Sequence, residues 1–224
     1  MKLEFTDRTF DAVVALNGTL PTPDTFQRVA DLPLIAADGA ANTLLGHDIL
    51  PEYVVGDLDS ISNDVLHSLH RVSEIVVNPS QEYTDFEKTL LFAEEQLWTH
   101  LLIVGFHGGD LEHTLNNWSV LLRHAQRLHL TVLDRERYLI PIFHNIHVGL
   151  SQHELVSLIP QPAARITTTG LEWELNNEEL RLGEREGSRN QLTDTHMSIT
   201  LHEGSFLLAC DARMPFMPIF NNQP

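Results

Sequence analysis

The sequence predicts an α/β N-terminal domain with a mostly parallel, doubly wound sheet, followed by an all-β sandwich C-terminal domain. Three observations carry this reading. Up to about residue 136, short Val/Ile/Leu runs alternate with helical patterns. Those runs are near-continuous in apolar character, as in strands covered on both faces. From Arg137 no helical period of useful length survives, and turn signals such as Asn176-Asn177 and Glu203-Gly204 separate short strand-like runs. The predicted domains are therefore 1–136 and 137–224.

In order, the first domain offers strands at Asp11–Asn17, Leu34–Ala37, Tyr53–Val55, Glu74–Val77, Leu101–Gly105 and Leu128–Leu133. Each is a compact apolar run flanked by polar or turn residues. Helical patterns lie between them near Asp24–Ala30, Ala40–Gly46, Asn63–His70, Asp85–Trp98 and Glu112–Gln126. The second domain offers strands at Leu139–Phe143, Leu155–Ile159, Ala164–Thr168, Leu171–Leu175, Met197–Leu201 and Ser205–Ala209. There is no internal repeat or long linker, no element is predicted for the first ten residues, and Asn221–Pro224 reads as a fraying end.

Composition narrows the function. The net charge is −17 over 224 residues. Such a surface repels nucleic-acid backbones and anionic membranes, so neither is expected as a partner, and a polyanionic substrate would need divalent metal to shield it. Met1–Phe10 lacks the apolar run of a signal peptide, and no stretch approaches the roughly 20 apolar residues of a membrane helix. Cys210 is the single cysteine, which fits a reducing compartment. Lysine occurs only at positions 2 and 88, so Lys88 inside a motif is conspicuous.

Four polar clusters each follow a predicted strand: Asp38–Asn42, Gly56–Ser60, Gln81–Asp85 and Gly105–His113. Open α/β sheets bind ligands at the carboxyl ends of their strands, so four clusters on that edge point to one site. Asp57 and Asp59 are the strongest pair. At a strand end that turns, they can converge on one hard cation, although Asp-x-Asp-Ser is also an ordinary turn sequence. Thr84 and Glu87 have capping-box spacing. Asp85 and Lys88 then share a face of the first helical turn, either as a surface ion pair or as a meeting point for metal and phosphate. Gly105–Asp110 can bring backbone N–H groups to phosphate, or can simply be a tight turn; Asp110 and Glu112 count against naked phosphate contact. The histidines number 13, and the pairs His67/His70 and His144/His147 lack a third ligand, so zinc is not predicted.

These motifs resemble those of the thiamine pyrophosphokinase family: Asp-Gly-Gly-Ala-Asn, Gly-Asp-x-Asp-Ser, Gln/Lys-Asp-x-Thr-Asp-x-x-Lys and Gly-Gly-Arg-x-Asp-His, in this order. Here they stand as Asp38–Asn42, Gly56–Ser60, Gln81–Lys88 and Gly108–His113. Ser157–Pro160, Thr169–Leu175 and Gly187–Asn190 resemble recurring segments of the family's β-sandwich, so the likeness covers nearly the whole chain. It implies Mg²⁺-dependent transfer of diphosphate from ATP to the thiamine hydroxyl by a cytoplasmic homodimer whose sites form between subunits. It implies that Asp57, Asp59 and Asp85 hold Mg²⁺, with Gln81 nearby, and that Lys88 meets phosphate charge. It further implies that Asp38 and Asn42 line the nucleotide pocket with Gly108, Gly109 and His113, and that Trp173, Ser188 and Asn190 contact thiamine.

The chain departs from the pattern at Ala40, Glu82, Asp110 and Glu112. At Asp110 the charge of the family's arginine is reversed, so that contact does not carry over. Two alternatives remain beside the family activity. One is a pyrophosphokinase for another heterocyclic alcohol such as a hydroxymethylpterin; the other is a non-catalytic thiamine or nucleotide sensor.

Overall fold

The computed structural model describes residues 1–221, so the end expected to fray lies, past Asn221, outside the described residues. Two compact units emerge: Thr9–Arg135, and Met1–Arg8 together with the chain from Glu136 onward. The sequence reading placed all of 1–136 in the first unit. The first strand, β1 (Lys2–Thr9), instead pairs in parallel with β9 (Ile146–Gly149) and buries Leu3 completely in the second unit. Its apolar residues, Leu3 and Phe5, alternate with polar ones, the period-2 signal of a half-buried strand.

The unit Thr9–Arg135 contains β2 (Ala12–Ala15), α1 (Pro23–Gln27), β3 (Leu34–Ala37), α2 (Ala40–Gly46), β4 (Tyr53–Gly56), α3 (Asn63–Leu69), β5 (Glu74–Val77), α4 (Asp85–Glu95), β6 (His100–Val104), α5 (Leu111–His124) and β7 (His129–Asp134). Within this unit the strand order is β7-β6-β2-β3-β4-β5, and every neighbouring pair is parallel. The chain moves outward from β2 to β5, then returns to the other side of β2 for β6 and β7. Right-handed crossovers therefore set α1–α3 on one face and α4–α5 on the other. The contacts agree, since α2 packs on α3 while α4 packs on β3, β4 and α5. Strands covered on both faces need no polar side, and Val14, Ile35, Val54 and Leu102 are fully buried.

The second unit holds no helix among the described residues. Its strands are β1, β8 (Arg137–Ile142), β9, β10 (Leu155–Thr169), β11 (Glu178–Arg181), β12 (Gly187–Gln191), β13 (His196–Asp211) and β14 (Phe216–Asn221). Two strands dominate: β10 and β13 pair antiparallel along most of their 15 and 16 residues. The sequence broke each into two short runs, reading Glu203-Gly204 as a turn. Gly204 instead takes φ +80, and a Cβ there would lie 2.0 Å from the Ala163 carbonyl oxygen. It marks a bulge opposite Pro160–Ala164, so the strand bends without ending. Leu171–Leu175, read as a strand, keeps only an isolated bridge from Leu171 to Leu192 and then bends away. Asn190 occupies the main-chain groups of Trp173, and the Glu174 carboxylate accepts from Gly170 N–H at 2.8 Å. These side-chain bonds supplement the short backbone pairing that remains, such as Glu172 N–H to Gln191 O at 2.9 Å. No helix among the described residues is long and apolar enough to cross a membrane.

Candidate active site

The carboxyl edge of the parallel sheet collects the acidic motifs. Asp38 leaves β3 with φ 38, and Leu58, between Asp57 and Asp59, takes φ 67. Such values are uncommon for residues with a Cβ, and for leucine they are a marked departure that only a determined surrounding sustains. The turn at Leu58 brings Asp57 and Asp59 to the side of Asp38. One carboxylate oxygen from each of Asp38, Asp57 and Asp59 lies within 4.8 Å of the others. Gly56 makes the approach possible, because a Cβ there would come 2.7 Å from the Asp38 Cβ.

Asp38 is only 1% exposed. Its Oδ2 accepts from Ser60 N–H at 3.2 Å, whereas Oδ1 is buried without a partner. Burial, followed by the nearby charges of Asp85, Asp57 and Asp59, pushes its carboxyl up to about 6 against the lowering effect of Ser60. Buried oxygens are normally satisfied, so Oδ1 has an acceptor site to spare. The Asn42 amide braces the same loop: it donates to Ser60 O at 2.9 Å and accepts from Ser62 N–H at 2.9 Å.

Lys88 supplies the cation. It is 2% exposed, and its ammonium donates to Asp57 Oδ2 at 3.1 Å and to Asp85 Oδ1 at 3.0 Å. Gln81 donates to the same Asp57 oxygen at 2.9 Å. Burial works to raise Asp57, but hydrogen bonds from Lys88 and Gln81 outweigh it and hold the carboxyl low. Burial of Asp85 prevails over Lys88 and raises it. Burial works to lower Lys88, yet Asp85 and Asp57 hold it above the ordinary lysine value, so it stays charged. The sequence grouped Asp57, Asp59 and Asp85 as metal ligands; the three that converge are Asp38, Asp57 and Asp59, while Asp85 holds Lys88.

The glycine loop follows β6. Gly108 takes φ +100, and a Cβ there would come within 2.2 Å of Thr19 Oγ1. Thr19 N–H donates to His107 O at 2.7 Å. The loop thus packs on the segment after β2, a cluster (Asn17, Gly18, Thr19) that the sequence reading passed over because it carries no charge. A Cβ at Gly109, which takes φ +70, would meet nothing closer than the Asn17 carbonyl oxygen at 3.8 Å. Asp110 precedes α5 without a side-chain capping bond, and Asp110, Glu112 and His113 are exposed. Nothing ties these three to the carboxylates.

In the second unit, Trp173 is 61% exposed at the tip of its turn. Asn190 is buried beneath it: Nδ2 donates to Trp173 O at 2.8 Å, and Oδ1 accepts from Trp173 N–H at 3.2 Å and Gln191 N–H at 2.8 Å. Asn190 is thus a brace for Trp173, whereas Ser188 is exposed. A cavity of about 450 Å³ lies at the amino-terminal edge of the parallel sheet, beside Val13, Phe26, Leu34 and Glu52, and includes none of these candidate residues.

Fold and site define a class: a doubly wound α/β unit with an acid-lined carboxyl edge, followed by a strand-built unit. Comparison with known proteins gives the family. The thiamin pyrophosphokinase catalytic-domain model matches residues 30–132, and that family's vitamin B1 binding-domain model matches residues 143–206. Thiamine pyrophosphokinase 1 of Arabidopsis thaliana is 32% identical over 228 aligned positions, covering 88% of this chain and 84% of the relative. Thiamine pyrophosphokinase 1 of rice is 30% identical, covering 84% and 83%. The crystal structure of yeast thiamin pyrophosphokinase has the same fold, with TM-score 0.77 at 19% identity, covering 92% and 87% of the two chains. The chain belongs to the thiamin pyrophosphokinase family.

Proposed function

We propose that this chain transfers diphosphate from ATP to the hydroxyl of thiamine, giving thiamine diphosphate and AMP, and that the acidic sheet edge holds the metal and phosphates. Family membership makes the chain an enzyme of the thiamine pyrophosphokinase type. The observation that supports the site assignment is the convergence of Asp38, Asp57 and Asp59 around the unpartnered, buried Asp38 Oδ1.

The donor set fits a hard divalent cation. All three ligands are carboxylate oxygens, and Mg²⁺ is commonly held by one or two carboxylates plus substrate phosphates. Asp38, Asp57 and Asp59 would hold Mg²⁺, which when bound supplies charge neutralisation and polarisation of the phosphoryl oxygens. The chain's own residues do the positioning. Lys88 carries a buried positive charge that can pass from Asp57 and Asp85 to phosphate, and Asp85 fixes its direction. Gln81 orients Asp57, and Asn42 and Ser60 hold the loop that presents Asp57 and Asp59. The thiamine oxygen forms the new bond to the β-phosphorus, the bond from that phosphorus to the α-phosphate oxygen breaks, and AMP carries away the electron pair. Such transfers depend on alignment and charge neutralisation rather than on covalent help.

For thiamine, the exposed Trp173 indole provides an aromatic face for the thiazolium cation, with Asn190 fixing the loop and Ser188 as a further contact. We also propose a homodimer working in the cytoplasm, a reading supported by the family resemblance and the unpaired, buried Cys210. The test is incubation with Mg·ATP and either thiamine or a hydroxymethylpterin, followed by chromatography. AMP and thiamine diphosphate are expected with thiamine alone. Product from the pterin, or ligand binding without AMP, would replace this reading with one of the two alternatives.

A further inference from the structure

Thr84 and Glu87 have the spacing of a capping box, in which the glutamate would reach back to the cap residue's N–H. Half of the box forms, with Glu87 N–H donating to Thr84 Oγ1 at 3.3 Å. The carboxylate goes elsewhere. Glu87 Oε1 lies 2.8 Å from His124 Nε2, and Oε2 accepts from Arg123 at 3.2 Å. Both partners of the shorter contact are buried, Glu87 at 7% exposure and His124 at 4%.

The proton positions follow from the third member. Arg127 lies 3.0 Å from His124 Nδ1. A guanidinium can only donate, so Nδ1 carries the lone pair and Nε2 carries the hydrogen that Glu87 accepts. A chain of guanidinium, neutral imidazole and carboxylate thus runs from the end of α5 to the first turn of α4. A second tie, Arg127 to Glu94 at 3.4 Å, joins the same helices nearer the end of α4.

We propose that Glu87 and His124 are positioning residues for the diphosphate transfer, anchoring the first turn of α4 on α5 so that Lys88 stays between Asp57 and Asp85. The proposal rests on the phosphate-facing role given to Lys88 above. Glu87 and Lys88 are neighbours whose side chains leave the helix about 100° apart, a consequence of 3.6 residues per turn. One reaches α5 and the other the carboxylates after β4. The Lys88 contacts are charged and exchangeable with substrate phosphate, so they cannot by themselves hold the turn during turnover. The Glu87–His124 contact is buried and touches no ligand-facing group, and it can. A shift of about 1 Å in a positioned group can cost on the order of a hundredfold in rate.

The test uses the full-length protein and reads kcat and KM together. Glu87→Ala and His124→Ala are expected to lower kcat at least tenfold while leaving KM for thiamine within twofold. Glu87→Gln keeps an Oε1 acceptor for His124 and is expected to stay within threefold of the parent, a rescue that a purely charge-based role would not give. The double alanine variant should be no worse than the worse single one. Nitrogen NMR of the unaltered protein should find the His124 proton on Nε2, a reading that needs no variant to fold. Normal kcat in folded alanine variants, or a proton on Nδ1, would overturn the proposal. Lys88→Ala separates the two levels. If it is fully active, the function assigned to the site is wrong; if it is inactive while the alanine variants at Glu87 and His124 turn over normally, only the tether is wrong.

Discussion

Two buried carboxylates, one in each unit, show how differently the chain treats the same group. Glu154 in the second unit is 5% exposed, and both of its oxygens are taken. Oε1 accepts from Asp211 N–H at 2.9 Å and Arg213 at 3.2 Å; Oε2 accepts from Ser151 N–H at 3.0 Å and Arg213 at 2.6 Å. Asp38 is buried more deeply, on a strained φ of 38, with one oxygen unpartnered and three acidic neighbours in place of an arginine. Glu154 is closed and structural. Asp38 has only the Ser60 N–H to offset the cost of its burial. The two carboxylates thus differ in how fully their oxygens are satisfied, and the proposed site uses the one with an oxygen to spare.

That distinction can be broken from either side. Removing the partner of the closed carboxylate should do the largest damage to stability. Arg213→Ala is expected to destabilise the fold by about 3–5 kcal/mol, the range for leaving a buried charge unpaired, while turnover per folded molecule stays within twofold. Urea denaturation with parallel assays checks both halves; a loss below about 1 kcal/mol would show that Glu154 is not held as described.

Asp38 should behave in the opposite sense. Its carboxyl stands near 6 in the fold against an ordinary 3.8. The protonated form is thus favoured by folding, and its stabilising effect is complete below about pH 4. It is lost as pH rises through 6. Without metal, stability should therefore fall between pH 4 and 7 by up to about 3 kcal/mol from this group alone. Melting curves of wild type and Asp38→Asn should coincide near pH 4, separate as pH rises from 4 to 6, and keep their full difference above pH 6. Parallel curves would mean that Asp38 ionises without penalty.

The sequence made one half of this contrast legible and hid the other. The parallel strands were readable because burial on both faces leaves uninterrupted apolar runs, and the motifs carrying Asp57, Asp59, Asp85 and Lys88 could be placed on one edge because each follows such a run. Asp38 was placed with the nucleotide pocket because nothing local marks the φ that swings it toward Asp57. Glu87 was hidden by a cap motif that it only half fulfils. In the second unit β10 and β13 were cut short, since a glycine at a bulge and a glycine in a turn look alike in one dimension. The bracing role of Asn190 was not legible, because its three main-chain hydrogen bonds exist only once the Trp173 segment is folded.

Two smaller effects sharpen the reading of the loops. Asn190→Ala should weaken thiamine binding by about 1–2 kcal/mol through a loosened Trp173 turn and leave ATP affinity unchanged, as calorimetry would record. Equal loss for both ligands would point to general unfolding of that region. Asp110→Arg, which restores the family's residue at an exposed position, should change KM for ATP less than about threefold. A tenfold tightening would mean that this side chain faces the phosphates.

The most direct test of the open carboxylate is the turnover of Asp38→Asn at saturating Mg²⁺, ATP and thiamine. The substitution keeps size and shape, still offers an oxygen to Ser60 N–H, and removes only the charge reserved for a cation. If Asp38 completes the metal and phosphate site, formation of AMP and thiamine diphosphate should fall at least about a hundredfold in a protein that is folded and no less stable than its parent. Turnover within a few-fold of wild type would contradict the account, because the half-satisfied carboxylate would then have no part in the reaction.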